Sequence, residues 1–137
     1  MILYLDSSAL VKNYVTETGS SDVNAWLDEA QVLITGLLTR VEVASAINRL
    51  CRMKAMEEME GDRVLGLFHQ DWESLVRLPI TELTVERAEN LSKVHGLRAY
   101  DAVHLSTALI WKETALRPTH MATYGRGLWL AAQKEGL

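Results

Sequence analysis

Residues 1–10 read Met1-Ile2-Leu3-Tyr4-Leu5-Asp6-Ser7-Ser8-Ala9-Leu10. Ile2 to Leu5 barely alternate between apolar and polar residues, which fits a strand buried on both faces better than one with a solvated side. The run stops at Asp6-Ser7-Ser8, whose short oxygen-bearing side chains favour a helix N-terminus. Strand followed at once by helix is the opening unit of an α/β fold.

Working outward, the same alternation recurs. Residues 8–16 read as a short helix, and Ser20-Ser21-Asp22 caps a second one to about Ala30. Val32-Leu33-Ile34-Thr35 is a short apolar strand. Residues 39–55 carry a helical stripe at Val43, Ala46, Ile47 and Leu50. Residues 57–75 read as helix, with Val64, Leu67, Phe68 and Leu75 on one side. Val76 to Ile80 reads as strand, and Thr84 opens a helix that ends near Gly96. Residues 99–113 form another helix. His120 to Thr123 form a weak strand, and a last helix ends near Gly136. Alternating strands and helices predict α/β architecture with a central parallel sheet covered on both faces, in a single domain spanning residues 1–137. In such open sheets, ligands bind at the carboxyl ends of the strands, where Asp6 falls.

Composition narrows the function. The single cysteine, Cys51, permits no internal disulfide, and a reducing cytoplasm is the expected compartment. Cys51 lies on the apolar stripe, so inert packing is its expected role. The N-terminus lacks a basic lead-in and meets a carboxylate at Asp6, unlike a signal peptide. No apolar run approaches the ~18 residues of a membrane-spanning helix. Fourteen Lys and Arg against 18 Asp and Glu leave a net charge of −4, which counts against phosphate-dominated nucleic-acid binding. Part of that excess is concentrated at Glu57, Glu58, Glu60 and Asp62, leaving basic residues elsewhere for phosphates.

Three acids stand out, and each also has a purely structural explanation. Asp6 can cap the first helix. Glu42 follows Thr39 by three residues, as in a capping box. Asp101 lies in the first turn of its helix, where the macrodipole favours a carboxylate. Together they suggest more. Asp6 ends an apolar strand directly, and Asp101 shares a stripe with Leu105, Ala108 and Leu109, so it faces the core edge. Converging carboxylates repel one another and call for a cation. Oxygen-only donors select Mg²⁺ or Mn²⁺, which hold phosphates and activate water.

The strings LYLDSSALVK, TRVEVASAINR and RAYDAVHLSTAL resemble, in order and spacing, the three successive motifs of the PIN-domain family, in particular the VapC-type toxin ribonucleases of toxin–antitoxin pairs. The resemblance covers essentially the whole chain. It implies an α/β/α sandwich, Mg²⁺- or Mn²⁺-dependent endoribonuclease activity, an RNA substrate, a small antitoxin partner and a homodimer. It also implies that Asp6, Glu42 and Asp101 are catalytic metal ligands, directly or through water. The family's further acid, in a Thr-x-Asp string, falls here on Thr123-Tyr124-Gly125, so glycine replaces it. That departure favours an alternative, a catalytically weakened RNA- or protein-binding module. A receiver-type phosphotransfer domain is a further rival, because Asp6 follows a strand; Ser8, however, stands where its second aspartate belongs.

Other residues get plainer readings. His104 is expected to bond locally within its helix, and His69, His95 and His120 lack partners at ligand spacing. The four tryptophans read as core or interface aromatics. Arg49, Arg52 and Lys54 fit a solvated helix face. Arg98 and Arg126, which flank the acidic motifs, are the better candidates for phosphate contact.

Overall fold

The computed structural model describes residues 1–137. The order of elements is β1 (Ile2–Leu5), α1 (Ser7–Leu10), a 3₁₀ turn (Val11–Asn13), α2 (Ser20–Glu29), β2 (Val32–Gly36), α3 (Leu38–Arg52), α4 (Glu58–Trp72), β3 (Val76–Leu78), α5 (Glu82–His95), α6 (Ala99–Ala115), β4 (Thr119–Ala122) and α7 (Arg126–Lys134). The sheet has strand order β3-β2-β1-β4, and every pairing is parallel. The fold is an α/β/α sandwich.

β1 shows why. Its four residues are all buried, and they alternate between two cores. Leu3 and Leu5 join Ala9, Leu10, Val23, Val43, Ile47, Val64 and Phe68 under α1 to α4. Ile2 and Tyr4 join Ile34 and Ala108 on the opposite face, which α6 covers. A further cluster ties α5, α6 and α7 together through Leu91, Leu105, Leu109 and Leu128. From β1 the chain steps outward through β2 to β3, then returns across the sheet to place β4 on the other side of β1. The strand order therefore reverses between β1 and β4, the place where open sheets of this kind take their ligands.

Several expected boundaries move. The helix expected over 8–16 breaks into α1 and a 3₁₀ turn that ends at Asn13. The helix expected to Leu75 stops at Trp72; Leu67 turns outward at 43% exposure, while Leu75 is buried beyond the helix end. α5 begins at Glu82, not Thr84: Thr81 is the cap, and Thr84 is its reciprocal partner three residues on. Pro79 cannot donate to a ladder, and β3 ends just before it. Trp26 and Trp129 are exposed at 36% and 47%, so of the four tryptophans only Trp72 is fully in the core.

β1 is also fastened to β2 beyond the ladder. The Thr35 hydroxyl donates to the Leu5 carbonyl at 2.7 Å and meets the Thr39 hydroxyl at 2.7 Å; both threonines are fully buried. Valine has the same branched shape but no hydroxyl. Thr35→Val is expected to lower stability by about 1–3 kcal/mol in urea unfolding, the usual cost of leaving buried partners unpaired. A change below about 0.5 kcal/mol would mean that this tie contributes nothing beyond shape.

Candidate active site

Asp6 is the first residue after β1 and is 4% exposed. Three donors meet its carboxylate. Oδ1 accepts from the Ala9 N–H at 2.9 Å and from the Ser8 hydroxyl at 2.7 Å. Oδ2 accepts from the Thr123 hydroxyl at 2.6 Å. The bond to Ala9 makes Asp6 the N-cap of α1, so the structural expectation for Asp6 holds. The Thr123 bond adds what a cap does not need: it reaches across the strand-order reversal to the segment after β4.

That segment is locked from both sides. Ser8 Oγ accepts the Tyr124 N–H at 2.9 Å, and Thr123 Oγ1 accepts the Gly125 N–H at 3.0 Å. Gly125 then starts α7 with φ −78°, and no side chain caps that helix. The position is not left-handed, so glycine is not required there by its backbone. A Cβ at 125 would sit 3.5 Å from Thr123 Oγ1, in ordinary contact, with the hydroxyl that touches Asp6.

Glu42 lies on α3, but the expected capping box is absent. The N-cap is Leu37, and Thr39 is occupied by Thr35. Glu42 Oε1 instead stands 2.6 Å from His104 Nε2. His104 is 2% exposed and does not bond within its own helix through its ring; its other nitrogen faces the Tyr4 hydroxyl at 2.8 Å. The local role expected for His104 is thus replaced by a bridge among β1, α3 and α6.

Asp101 lies in the first turn of α6, half-buried, one residue before the buried Ala102. Burial raises its pKa first, and the negative charges of Asp6 and Glu42 raise it further; His104 and Arg98 pull the other way. Asp101 therefore lies within electrostatic reach of Asp6 and Glu42, although the three come from elements far apart in sequence. No three acidic, imidazole or thiol groups close around a single point.

A groove of about 470 Å³ runs beside this cluster, lined by Ser7, Leu38, Glu42, Ser45, Arg49 and Tyr100, among others. Arg49, read from sequence as part of a solvated face, thus shares a wall with Glu42. Arg98 and Arg126 are exposed where α6 and α7 begin. Arg52 and Lys54 stay at the far end of α3. Cys51 is partly buried, with Sγ 3.8 Å from the Glu57 carbonyl, and takes no part in the site.

Chemically the cluster offers acceptor oxygens and no activated nucleophile. The Ser8 proton is given to Asp6, and its oxygen is filled by Tyr124. A receiver-type phosphoacceptor is disfavoured for the same reason: Asp6 is buried with both oxygens bonded. Sequence reading gave Ser8, Thr123 and Tyr4 no part in holding the acids. Ser8 and Thr123 are separated by 115 residues and Tyr4 and His104 by 100, and no local pattern links such positions.

A family model described as the PIN domain matches residues 3–117. Ribonuclease VapC45 of Mycobacterium tuberculosis is 34% identical over 112 residues, covering 79% of this chain and 75% of that protein. Among solved structures, PAE2754 from Pyrobaculum aerophilum gives a TM-score of 0.68 at 19% identity, over 97% of this chain and 81% of that one. A toxin–antitoxin complex from Klebsiella pneumoniae gives 0.62 at 14% identity, over 87% of this chain and 83% of that one. The two structures bear on fold alone, and they agree with the parallel sandwich described above. With the family model spanning most of its length and a curated relative at this identity, the chain belongs to the PIN-domain family.

Proposed function

We propose that the protein is an endoribonuclease dependent on Mg²⁺ or Mn²⁺, acting in the cytoplasm as the toxin of a type II toxin–antitoxin pair. The observation that carries this reading is that Asp101 lies within electrostatic reach of Asp6, which ends β1, and of Glu42, its carboxyl raised by burial and by those two charges. The ribonuclease name of the Mycobacterium relative supports RNA as substrate. That one structural neighbour is a toxin–antitoxin complex supports a small antitoxin as partner. A basic antitoxin side chain would be drawn to the acid cluster. A homodimer and a single domain over residues 1–137 belong to the same reading.

The donor set fits a hard cation: carboxylate oxygens alone, under mutual repulsion that a positive ion relieves. Mg²⁺ habitually keeps several waters and is usually bound through one or two carboxylates, so contact through water is open to the others. Asp6, Glu42 and Asp101 would hold the ion, directly or through water. When bound, the ion supplies charge neutralisation and an activated water for attack on a phosphodiester. Ser8, Thr123 and the Ala9 amide fix the direction of Asp6. Arg98 beside Asp101, Arg126 at the head of α7 and Arg49 in the groove are placed to meet phosphates. Gly125 supports a second reading, a weakened RNA- or protein-binding module, because no acid stands beside Thr123.

Cleavage of RNA by the purified chain is expected with Mg²⁺ or Mn²⁺ and to stop in EDTA; equal cleavage in excess chelator would rule the metal out.

For Asp101 the sign of the pH effect follows from its raised pKa. A carboxyl that titrates higher in the folded state stabilises the protein in acid, and that stabilisation is lost as pH rises through the folded pKa. Asparagine carries no charge to suffer this loss. Metal-free Asp101→Asn is therefore expected to melt at or above the wild type at pH 7, with the difference shrinking below about pH 4, while RNA cleavage disappears. A lower melting temperature at pH 7 would instead assign Asp101 to the helix macrodipole.

Gly125→Asp tests the second reading. A Cβ there makes only ordinary contacts, with Thr123 Oγ1 and Leu128, and aspartate would bring a carboxylate to that position. Mn²⁺ affinity or cleavage is expected to rise by roughly 10–100-fold, the range seen when outer partners of a metal change. A folded variant with neither gain would show that position 125 does not serve the site.

A further inference from the structure

Glu42 is the one acid of the three whose direction is set by a side chain on another helix. Its bond to His104 Nε2 is 2.6 Å long, and Tyr4 Oη lies 2.8 Å from His104 Nδ1. The hydrogen-bonding roles along this chain are ordered. Tyr4 is completely buried, and a phenol carries its proton at neutral pH, so Oη has a proton to donate. The hydrogen-bond partner of Oη is Nδ1 of His104, so the Tyr4 proton is placed to go there. A ring that accepts at Nδ1 carries its own proton on Nε2, facing the Glu42 carboxylate. Gly36 is part of the arrangement: a Cβ there would stand 3.0 Å from Tyr4 Oη, too tight to leave the hydroxyl in place.

The remaining contacts of Glu42 make this bond decisive. Its helix has no side-chain cap, and its side chain is 22% exposed at the edge of the groove. Without a fixed donor, a three-torsion side chain at that edge would sample several rotamers. The line Tyr4–His104–Glu42 runs from β1 through α6 to α3, so the sheet itself sets where the carboxylate points.

We infer that His104, oriented by Tyr4, is a positioning residue that holds Glu42 in the direction from which it serves the cation of the proposed reaction. This inference rests on the metal-dependent reading above.

The test is Mn²⁺ binding by calorimetry on the full chain, with folding checked by circular dichroism. The variants are Tyr4→Phe, His104→Phe, His104→Gln, Glu42→Ala, Asp6→Asn and the pair Glu42→Ala with His104→Phe. His104→Phe is expected to weaken Mn²⁺ binding by about 10–100-fold, and Tyr4→Phe by about 10-fold. His104→Gln, whose amide reaches toward the Nε2 position, is expected to recover most of the loss. In the Glu42→Ala background, His104→Phe should cause no further loss, because its effect passes through Glu42. Should His104→Phe fail to fold, Tyr4→Phe, which keeps the ring and its volume, decides alone. Wild-type affinity in folded Tyr4→Phe and His104→Phe, with only a lowered melting temperature, would reduce the chain of bonds to a core tie and overturn the inference. Absence of Mn²⁺ binding by the wild type, or no effect of Asp6→Asn, would overturn the metal-dependent reading and the inference with it.

Discussion

A carboxylate that is 4% exposed must have donors on its oxygens, and Asp6 draws its three from two separate places. Ala9 and Ser8 belong to the first turn of α1; Thr123 follows β4. Satisfying one charge therefore joins β1, α1 and β4 at the point where strand order reverses. Consequences spread outward from there. The Ala9 bond starts α1, and the Thr123 hydroxyl, pinned to Asp6, receives the Gly125 amide and so fixes where α7 begins. The candidate site is thus shaped by the same hydrogen bonds that keep its first acid buried.

The sheet and the acids were legible because both are local signals. Ile2 to Leu5, without alternation, announces a strand covered twice, and the sorting of Leu3 and Leu5 from Ile2 and Tyr4 follows from the pleat alone. The stripe of Asp101, Leu105, Ala108 and Leu109 placed Asp101 at the core edge, and the structure finds it half-buried there. What failed was competition among local options. Thr39 and Glu42 have capping-box spacing, but Thr35 takes the Thr39 hydroxyl and His104 takes Glu42. Leu67 fits a helical stripe, yet it lies just beyond the arc that α4 turns to the sheet. His104 was read as bonding within its helix because its partners, 100 and 62 residues away, leave no trace in spacing.

The net charge of −4 weighed against phosphate contacts when read from composition, and the structure shows why composition is a poor guide here. Glu57, Glu58, Glu60 and Asp62 are exposed around the start of α4, with Glu60 paired to Arg63 at 2.6 Å. Glu113 and Glu73 are likewise matched, by Arg87 and Arg77. Those acids are solvated and screened within about a Debye length, ~8–10 Å. Arg49, Arg98 and Arg126 enter none of these ion pairs. The overall sign of the molecule therefore says little about the field at the groove, where Arg49 stands beside Glu42.

The three acids also differ in what they have left to offer. A carboxylate has roughly four acceptor positions. Asp6 has given three to Ala9, Ser8 and Thr123, so about one remains, on Oδ2. Glu42 has given one position on Oε1 to His104, and its Oε2 is uncommitted. Asp101 is governed by burial and charge with no hydrogen bond among the causes of its shift, so both oxygens are open. Rigidity and capacity run in opposite order: the most tightly held acid has the fewest free lone pairs, and the most open acid is the one whose ionised form is disfavoured. A cation entering this cluster would gain direction from Asp6 and charge from Asp101. Relief of Asp101 is then the electrostatic return for binding, while Asp6 determines where the ion can sit.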